Sequence, residues 1–325
     1  SLPAACAAAG RLVMPRLEQA ALRQSLGYDL HADSREYTER MLGIAVGAGA
    51  NVTVGEVGSV ERTAGTGVGA LVTGDGERVA GDFFVDCSRE RTVASFADES
   101  GSFDDWSHWL PNNRVDWSVP DSDDESGPYV VVRRGGSGWR LSLRTRVGAV
   151  QADIGPGAPG GAPNGNFRAH WVANCVAIGA AATRLEPLEV TPMHLAQAGV
   201  RQLLTMLPRR GDNPALATEY NRVMAAMAED ARDYVALRHA LARPGYEAPE
   251  TLQTRLGLFR IRGRYTRTEI PFIGKSRWVS SFINLGIWPD SYDPVADMID
   301  EQRMRDDLQR FRLAIEQQVS GVAAG

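Results

Sequence analysis

The segment NCVAIGAAATRLEPLEVTPMHLAQAG, at 174–199, joins an apolar strand-like stretch to an amphipathic helix through a turn of small residues. The strand ends at Ile178 and Gly179, and the alanines at 180–182 leave room for a ligand close to the backbone. The helix begins near Pro192, so its N-terminal N–H groups face the same turn. These residues alone leave two interpretations open. One is a crevice for an anionic ligand, and the other is an ordinary strand–turn–helix whose Glu residues compensate the helix dipole.

Alternating apolar and polar residues predict antiparallel strands in three consecutive segments between residues 51 and 88, namely NVTVGEVGSVER, VGALVTGDGERV and AGDFFVDCS. Asp75 and Gly76 suit a type I′ hairpin turn after the second of these strands. Two further strands are predicted in PYVVVRR and GWRLSLRTR. The acidic segment at 121–128 and the Gly/Pro-rich segment at 155–166 are predicted to be connecting loops.

Helical periodicity marks one segment near the start of the chain and most of its last third. The first helix is predicted from Asp33, an N-cap with Glu36 three positions on, and its apolar face is expected to cover a sheet; that face holds Tyr37, Met41, Ile44, Ala45 and Ala48. Three long helices follow at 192–207, 215–241 and 295–319, the last with a stripe of Leu308, Phe311, Ile315 and Val319. Strands followed by helices predict a mixed α/β fold with α+β character.

Composition excludes several classes of function. With 325 residues, 43% of them hydrophobic, the chain has enough material for a large core and is expected to form more than one domain. The net charge of −5 gives no basic field for nucleic acid, and Lys275 is the single lysine. No apolar run has the roughly 20 residues of a membrane helix, so a cytoplasmic protein is expected. The separated Cys6, Cys87 and Cys175 predict no disulfide framework.

Other motifs carry less information about chemistry. GTGVGA at 65–70 is superficially similar to a dinucleotide fingerprint, but it lies between predicted strands and opens no helix. The five histidines lack metal-ligand spacing, so no metal site is predicted, and each His is interpreted as a surface or packing residue. Most of the seven tryptophans are expected in the core.

The opening segment closely resembles the NCVAIG and EPLEST segment of flavin-dependent tryptophan halogenases. The resemblance covers most of residues 25–290 and continues in the same chain order through YDLHADSREYTERML, GDFFVDCS, WLPNNR, GWRLSLRTRVG and RWVSSFINLGIWP. It implies an FAD/NAD(P)-binding, flavin monooxygenase-like fold with an antiparallel substrate-side sheet and a C-terminal helical part. The N-terminal portion of the FAD domain would be absent. The implied divisions are the remaining FAD domain at 1–104, the substrate-side sheet at 105–170, the FAD-domain return strand and helix at 171–207, and the helical substrate-side region at 208–325.

The resemblance also implies a chemistry. Its cofactor would be FAD reduced by a separate flavin reductase, and a halide ion would be the co-substrate. Hypohalous acid made from flavin hydroperoxide and halide would reach an indole or phenol. By motif, the flavin contacts would be Gly179, Ala180, Pro187, Leu188 and Thr191. The halide would lie at Thr191 and Pro192, Glu189 would orient the substrate or accept its ring proton, and Trp278, Glu189 and Asn113 would contact substrate.

Departures from the family pattern bear on activity. The family's glycine-rich nucleotide loop and its essential Lys are not found, so the chain as given is expected neither to bind FAD tightly nor to complete halogenation. Pro192 stands where the family has Gly and offers no N–H to a halide. Losing one such donor costs about 1.5–3 kcal/mol. Arg89 replaces a flavin-side Gly, and Leu141 replaces the second Trp of a WxWxIP motif.

Three hypotheses therefore remain open from the sequence. The first is a divergent flavin-dependent halogenase. The second is a flavin-dependent oxidoreductase or monooxygenase without halide chemistry, which Pro192 and Leu141 favour. The third is a non-catalytic binding protein derived from the fold. The expected partners are a small aromatic substrate and, transiently, a flavin reductase; a homodimer is left open, and neither nucleic acid nor membrane is expected.

Overall fold

The computed structural model describes residues 5–6, 9, 32–63, 67–98, 100–120, 129–136, 138–145, 148–158, 161–188, 191–208, 214–266 and 268–320. The chain divides into two compact units. The larger unit consists of Thr53–Arg114 and Ile154–Tyr292, and the smaller consists of Ser1–Val52, Val115–Asp153 and Asp293–Gly325. The divisions predicted at 104, 170 and 207 stay a prediction.

Short strands predominate in the first two thirds of the described chain, and the last third is helical. The strands are β1 (Val57–Arg62), β2 (Val68–Thr73), β3 (Arg78–Ala80), β4 (Phe84–Asp86), β5 (Phe103–Asp105), β6 (Asn112–Ser118), β7 (Val131–Gly135), β8 (Gly138–Thr145), β9 (Gly148–Pro156), β10 (Gly165–Phe167), β11 (Trp171–Val172), β12 (Cys175–Ala177) and β13 (Thr183–Arg184). The helices are α1 (Ser34–Gly47), α2 (Ala94–Ala97), α3 (Thr191–Met206), α4 (Pro214–Ala242), α5 (Glu250–Arg262), α6 (Lys275–Asn284) and α7 (Glu301–Ser320), with 3₁₀ turns at Gly179–Ala181 and Pro294–Met298.

The predicted meander is confirmed, because β1, β2 and β3 form an antiparallel sheet in that order. The predicted type I′ turn is wrong. That turn needs positive φ at both central residues, whereas Gly76 has φ +90° and Asp75 lies outside the positive-φ region. The Gly76 N–H donates to the Thr73 carbonyl at 3.0 Å, and the Thr73 N–H donates to the Glu77 carbonyl at 2.9 Å. This is the longer hairpin loop that ends in a glycine bulge.

Strand β4 also differs from the expectation. It was predicted as part of the antiparallel meander, but it pairs in parallel with β12, with Phe84 opposite Cys175 and Asp86 opposite Ala177. All three residues of β12 are buried, as befits a strand that lies between two neighbours, β11 and β4. The core around this pair holds Val68, Phe84, Val93, Ala94, Ala97, Cys175, Ala177, Ala181 and Ala182.

A second small sheet has the order β13, β10, β5. Gly165 in β10 faces the Asp104 carbonyl and the Phe103 ring so closely that a Cβ there would clash with both. The segment at 155–166, predicted as a loop, is therefore partly sheet: β9 ends at Pro156 and β10 begins at Gly165. The predicted strands PYVVVRR and GWRLSLRTR are confirmed as β7 and β8, which lie in a four-stranded sheet of order β6, β9, β8, β7. The acidic segment at 121–128 lies outside the described residues.

Helix α1 begins as predicted, with the Asp33 carboxylate accepting from the N–H groups of Arg35 and Glu36. Its apolar face does not cover a sheet, and this expectation is wrong for the described part of the chain: Tyr37, Met41 and Ile44 are 41%, 46% and 57% exposed. The stripe on α7 is likewise open, since Leu308 and Phe311 are exposed. Within the described ranges, no helix combines the length and the apolar character that crossing a membrane requires.

Candidate functional site

The turn after β12 has the geometry that its small residues predict. Gly179 has φ +67°, a left-handed conformation that favours glycine. The Ile178 N–H donates to the Asp86 carbonyl at 2.9 Å, and the Ala182 N–H closes the turn on the Gly179 carbonyl at 3.0 Å. Among the described residues, a Cβ placed on Gly179 would meet one atom within 4 Å, the Ala196 Cβ of α3 at 3.8 Å. The turn therefore contacts α3, and no other described residue crowds the Gly179 backbone.

The DCS motif at the end of β4 supports this turn. Asp86 is buried, and its carboxylate accepts from the N–H groups of Ser88, Val93 and Ala94, each at 2.8 Å. Such a carboxylate fixes the start of α2 and the loop that leads to it. Arg89, the departure noted in this motif, is exposed, and its carbonyl accepts from Arg184 at 3.1 Å.

A buried guanidinium holds the same turn from its other side. Arg91 donates to the Ala181 carbonyl at 2.8 Å and to the Ala169 carbonyl at 2.7 Å, and it pairs with Asp98 at 3.1 Å. It also lies over the Phe167 ring, 4.3 Å from the ring centre. Burial lowers the pKa of Arg91, whereas the neighbouring Asp98 raises it. The turn is thus anchored by a charge that is fully engaged inside the protein.

The Glu-Pro-Leu-Glu corner contains a buried polar cluster. Glu186 has no exposed surface, and its carboxylate accepts from Asn112 Nδ2 at 2.6 Å and from His239 Nε2 at 2.8 Å. The three side chains come from β6, the corner and α4, so the corner is tied to two distant elements. Tyr246 stacks on the His239 ring, with 6.0 Å between ring centres.

The remaining residues of the corner have separate environments. Leu188 is fully buried, so its side chain offers no surface to a ligand in this structure, while Pro187 is half-buried. Glu189, assigned to substrate by resemblance, lies outside the described residues. Thr191 is the first residue of α3, and the helix continues through Pro192, as expected for a proline in the first turn.

Two residues predicted to contact substrate are held by the protein itself. Asn113 donates from Nδ2 to the Ala162 carbonyl at 2.9 Å and accepts from the Gly157 N–H at 2.6 Å. Trp278 is completely buried. The Arg255 guanidinium lies 4.2 Å from one of its ring centres, and the Tyr234 ring meets it edge-on at 5.1 Å. No described residue accepts a hydrogen bond from Trp278 Nε1.

Sequence reasoning missed the cluster of Asn112, Glu186 and His239. It selected Asn113 of the Asn-Asn pair and Glu189 of the two acids, and it interpreted His239 as a surface or packing residue. No local sequence pattern joins the three residues, because Asn112 and His239 lie 74 and 53 positions from Glu186 along the chain. Among the described residues, no group of three or more His, Cys, Asp or Glu side chains is placed to hold a metal ion.

Comparison with known proteins now identifies the family. A family model described as tryptophan halogenase matches residues 1–152 and 162–301. The chain belongs to the tryptophan halogenase family. Tryptophan 7-halogenase KtzQ of Kutzneria sp. (strain 744) is 32% identical over 202 residues, which cover 53% of this chain and 38% of that protein. Tryptophan 7-halogenase RebH of Lentzea aerocolonigenes is 29% identical over 204 residues, or 54% of this chain and again 38% of the relative. The matched part of this chain thus spans about two fifths of the length of these curated relatives.

Solved structures agree with the assignment. BrvH, a flavin-dependent halogenase from Brevundimonas sp. BAL3, superposes with a TM-score of 0.87 at 27% identity, covering 100% of this chain and 73% of BrvH. MibH, a tryptophan 5-halogenase, superposes with a TM-score of 0.81 at 18% identity, which supports the fold alone. The halogenase-family chain therefore has the mixed α/β fold of flavin-dependent halogenase structures, and the family predicted from its motifs is confirmed.

Proposed function

We propose that the protein is an FAD-dependent halogenase-like enzyme that acts on an aromatic substrate, an indole or a phenol. The observation that carries this proposal is the left-handed Gly179 turn packed on α3, within a chain of the tryptophan halogenase family. Flavin, halide and aromatic substrate are all part of the proposal, and so is a flavin reductase as the source of reduced FAD.

The residues at the turn fit a flat ring system. Gly179 has no side chain, and a Cβ built there would have one neighbour among the described residues, at 3.8 Å, which supports close approach of a ligand to the backbone. Ala180 adds little bulk beside it. We propose that Gly179, Ala180, Pro187, Thr191 and the main chain of Leu188 hold the flavin, and that Thr191 and Pro192 lie beside the halide. Reduced flavin, molecular oxygen and halide would together supply the electrophilic halogen, with oxygen as the oxidant of the halide.

The chain's own residues would then position the reaction. Asp86 and Arg91 hold the turn rigid through main-chain hydrogen bonds, so the flavin-side backbone is pre-organised. We propose Glu189 as the group that orients the substrate or accepts the ring proton after halogen transfer. Asn113 and Trp278 stay predictions for substrate contacts, and both side chains would have to give up their present protein contacts to make them.

A flavin-dependent oxidoreductase without halide chemistry is the second candidate, and Pro192 favours it. The residue lies in the first turn of α3, where N–H groups would otherwise face an anion, and proline has none. A single missing donor weakens anion binding by roughly 10–150-fold if nothing replaces it.

Incubation in air of the protein, expressed from its complete reading frame, with FAD, NADH, a flavin reductase and indole, phenol or tryptophan separates these candidates. Parallel reactions contain bromide, chloride or no added halide, and mass spectrometry detects the halogen isotope pattern in the product. A halogenated product that requires halide supports the proposal. Flavin turnover that is indifferent to halide would favour the oxidoreductase, and no flavin binding in visible absorbance would contradict both.

A pair of glycine variants locates the flavin. Gly179→Ala introduces a Cβ on the proposed flavin side at φ +67°, and Gly245→Ala introduces one at φ +75° in a loop where no atom of the described residues lies within 4 Å of it. Because the two substitutions cause similar backbone strain, a difference in FAD affinity between the variants reports contact between the flavin and the turn. We expect FAD affinity to fall in the first variant and to stay unchanged in the second.

A further inference from the structure

A cleft of about 520 Å³ opens in the larger unit between β5, the loop that follows it and α4. Its volume lies in the range of small-molecule sites. The residues that give it chemical character are Phe103, Asp105, Trp106, Trp109, Glu229 and Arg232. None of the described residues assigned to flavin, halide or substrate by resemblance lines it.

Arg232 provides a cation that is built into the cleft wall. Its side chain is only 9% exposed. Nε and Nη2 donate to Asp233 Oδ1 at 3.1 and 2.8 Å, and Nη2 also donates to Thr251 Oγ1 at 2.9 Å. Nη1 has no acceptor among the described residues. Because Arg232 lines the cleft, Nη1 is the nitrogen left for an anionic group of a ligand.

Two carboxylates provide the opposite charge. Asp105 and Glu229 are exposed at the cleft, and no cation in the described part of the chain pairs with either of them. Asp104 differs, because Arg168 binds it through two nitrogens at 2.9 and 2.7 Å. Glu229 lies three positions before Arg232 on α4, so the two side chains are neighbours on one face of the helix.

Aromatic rings form the remaining surface between these charges. The Arg232 guanidinium lies 5.2 Å from the Trp106 ring centre and 4.8 Å from that of Trp109, which fixes the two indoles against the cation. Trp109 is half-buried and Phe103 is half-buried, so each presents part of its ring to the cleft. The cleft thus combines a buried guanidinium with an open nitrogen, two carboxylates that pair with no cation among the described residues, and an aromatic wall.

We propose that this cleft binds a zwitterionic aromatic α-amino acid. The carboxylate of the ligand would bind Arg232 Nη1, its ammonium group would lie at Asp105 and Glu229, and its ring would pack against Trp109 and Phe103. A ligand with only an ammonium group would leave Arg232 Nη1 unused. A ligand with only a carboxylate would place its negative charge near Asp105 and Glu229, here called the rim carboxylates, with no ammonium group to offset the repulsion. This site is additional to the proposed reaction, and its binding is measured without any halogenation.

Isothermal titration of the protein with three indole compounds tests the charges of the ligand. L-tryptophan carries both charges, tryptamine carries only the ammonium, and indole-3-propionate carries only the carboxylate. We expect L-tryptophan to bind at least about tenfold more tightly than either of the others, as for the loss of one charge-assisted contact. Tryptamine binding as tightly as L-tryptophan would exclude the role of Arg232, and equal binding of indole-3-propionate would exclude that of the rim carboxylates.

Variants on the rim test the location. The double variant Asp105→Asn with Glu229→Gln removes both rim charges at exposed positions, and Asn keeps an oxygen to accept from the Ser107 N–H. We expect it to weaken L-tryptophan binding about two- to thirtyfold, the range for two exposed ion pairs. Glu247→Gln removes an exposed charge outside the cleft, and this variant should bind L-tryptophan as the parent does. Unchanged affinity in the double variant would overturn the proposal, whereas intact binding without halogenation would count only against the proposed reaction.

Discussion

Replacement of Glu186 by alanine should destabilise the protein more than most single substitutions. The carboxylate is fully buried and accepts from Asn112 Nδ2 at 2.6 Å and from His239 Nε2 at 2.8 Å. Alanine removes the carboxylate oxygens that accept from these two buried nitrogens. Each unsatisfied group costs about 1–3 kcal/mol, so the expected loss in the free energy of unfolding is about 2–6 kcal/mol before any cavity is counted.

Glu186→Gln is the matched comparison. Its amide keeps one oxygen as an acceptor but turns an NH₂ group toward the other donor, so about one contact is lost, at about 1–3 kcal/mol. Urea unfolding of the parent and both variants measures the losses, with exposed Glu247→Ala as the control for removing a carboxylate. A loss below about 1 kcal/mol in Glu186→Ala would refute the view that this cluster ties the corner to β6 and α4.

Three further predictions concern the turn and its supports. Asp86→Asn replaces an acceptor of three N–H bonds and should lower the free energy of unfolding by about 1–3 kcal/mol, measured by urea titration. Burial, with Arg91 as a lesser cause, lowers the pKa of His170 from 6.5 to about 4, so the unfolded state binds more protons between these values. Stability is then fully present above about pH 6.5 and falls by up to about 1.4 kcal/mol per pH unit as the pH drops toward 4, and His170→Gln should flatten that slope. Gly179→Ala and Gly245→Ala should each lose about 1–2 kcal/mol from backbone strain, and a much larger loss at Gly179 alone would show that the turn is more crowded than its 3.8 Å clearance indicates.

Features set by neighbouring residues could be predicted from the sequence. The Asp33 cap, the meander of β1 to β3 and helix α3 starting around Pro192 all depend on short-range patterns, and all are confirmed. The Asp75–Gly76 turn failed because the same dipeptide also suits a longer hairpin loop with only one left-handed residue.

Features set by distant contacts could not be predicted. β4 pairs in parallel with β12, about 90 positions away, and nothing in its three residues distinguishes that partner from the adjacent meander. The same limit applies at the candidate site. The open Gly179 turn follows from local small residues, whereas the burial of Glu186 depends on Asn112 and His239 from other elements. The motifs of the segment predicted the family of the chain, whereas periodicity alone did not decide between a ligand crevice and an ordinary strand–turn–helix.

The most direct measurement is the halide dependence of product formation, in air, by the protein expressed from its complete reading frame, with FAD, NADH, a flavin reductase and an indole substrate. The account predicts a halogenated indole whose isotope pattern follows the halide supplied, and loss of that product in Gly179→Ala with retention in Gly245→Ala. Flavin turnover at equal rates with and without halide, and no halogenated product, would contradict it.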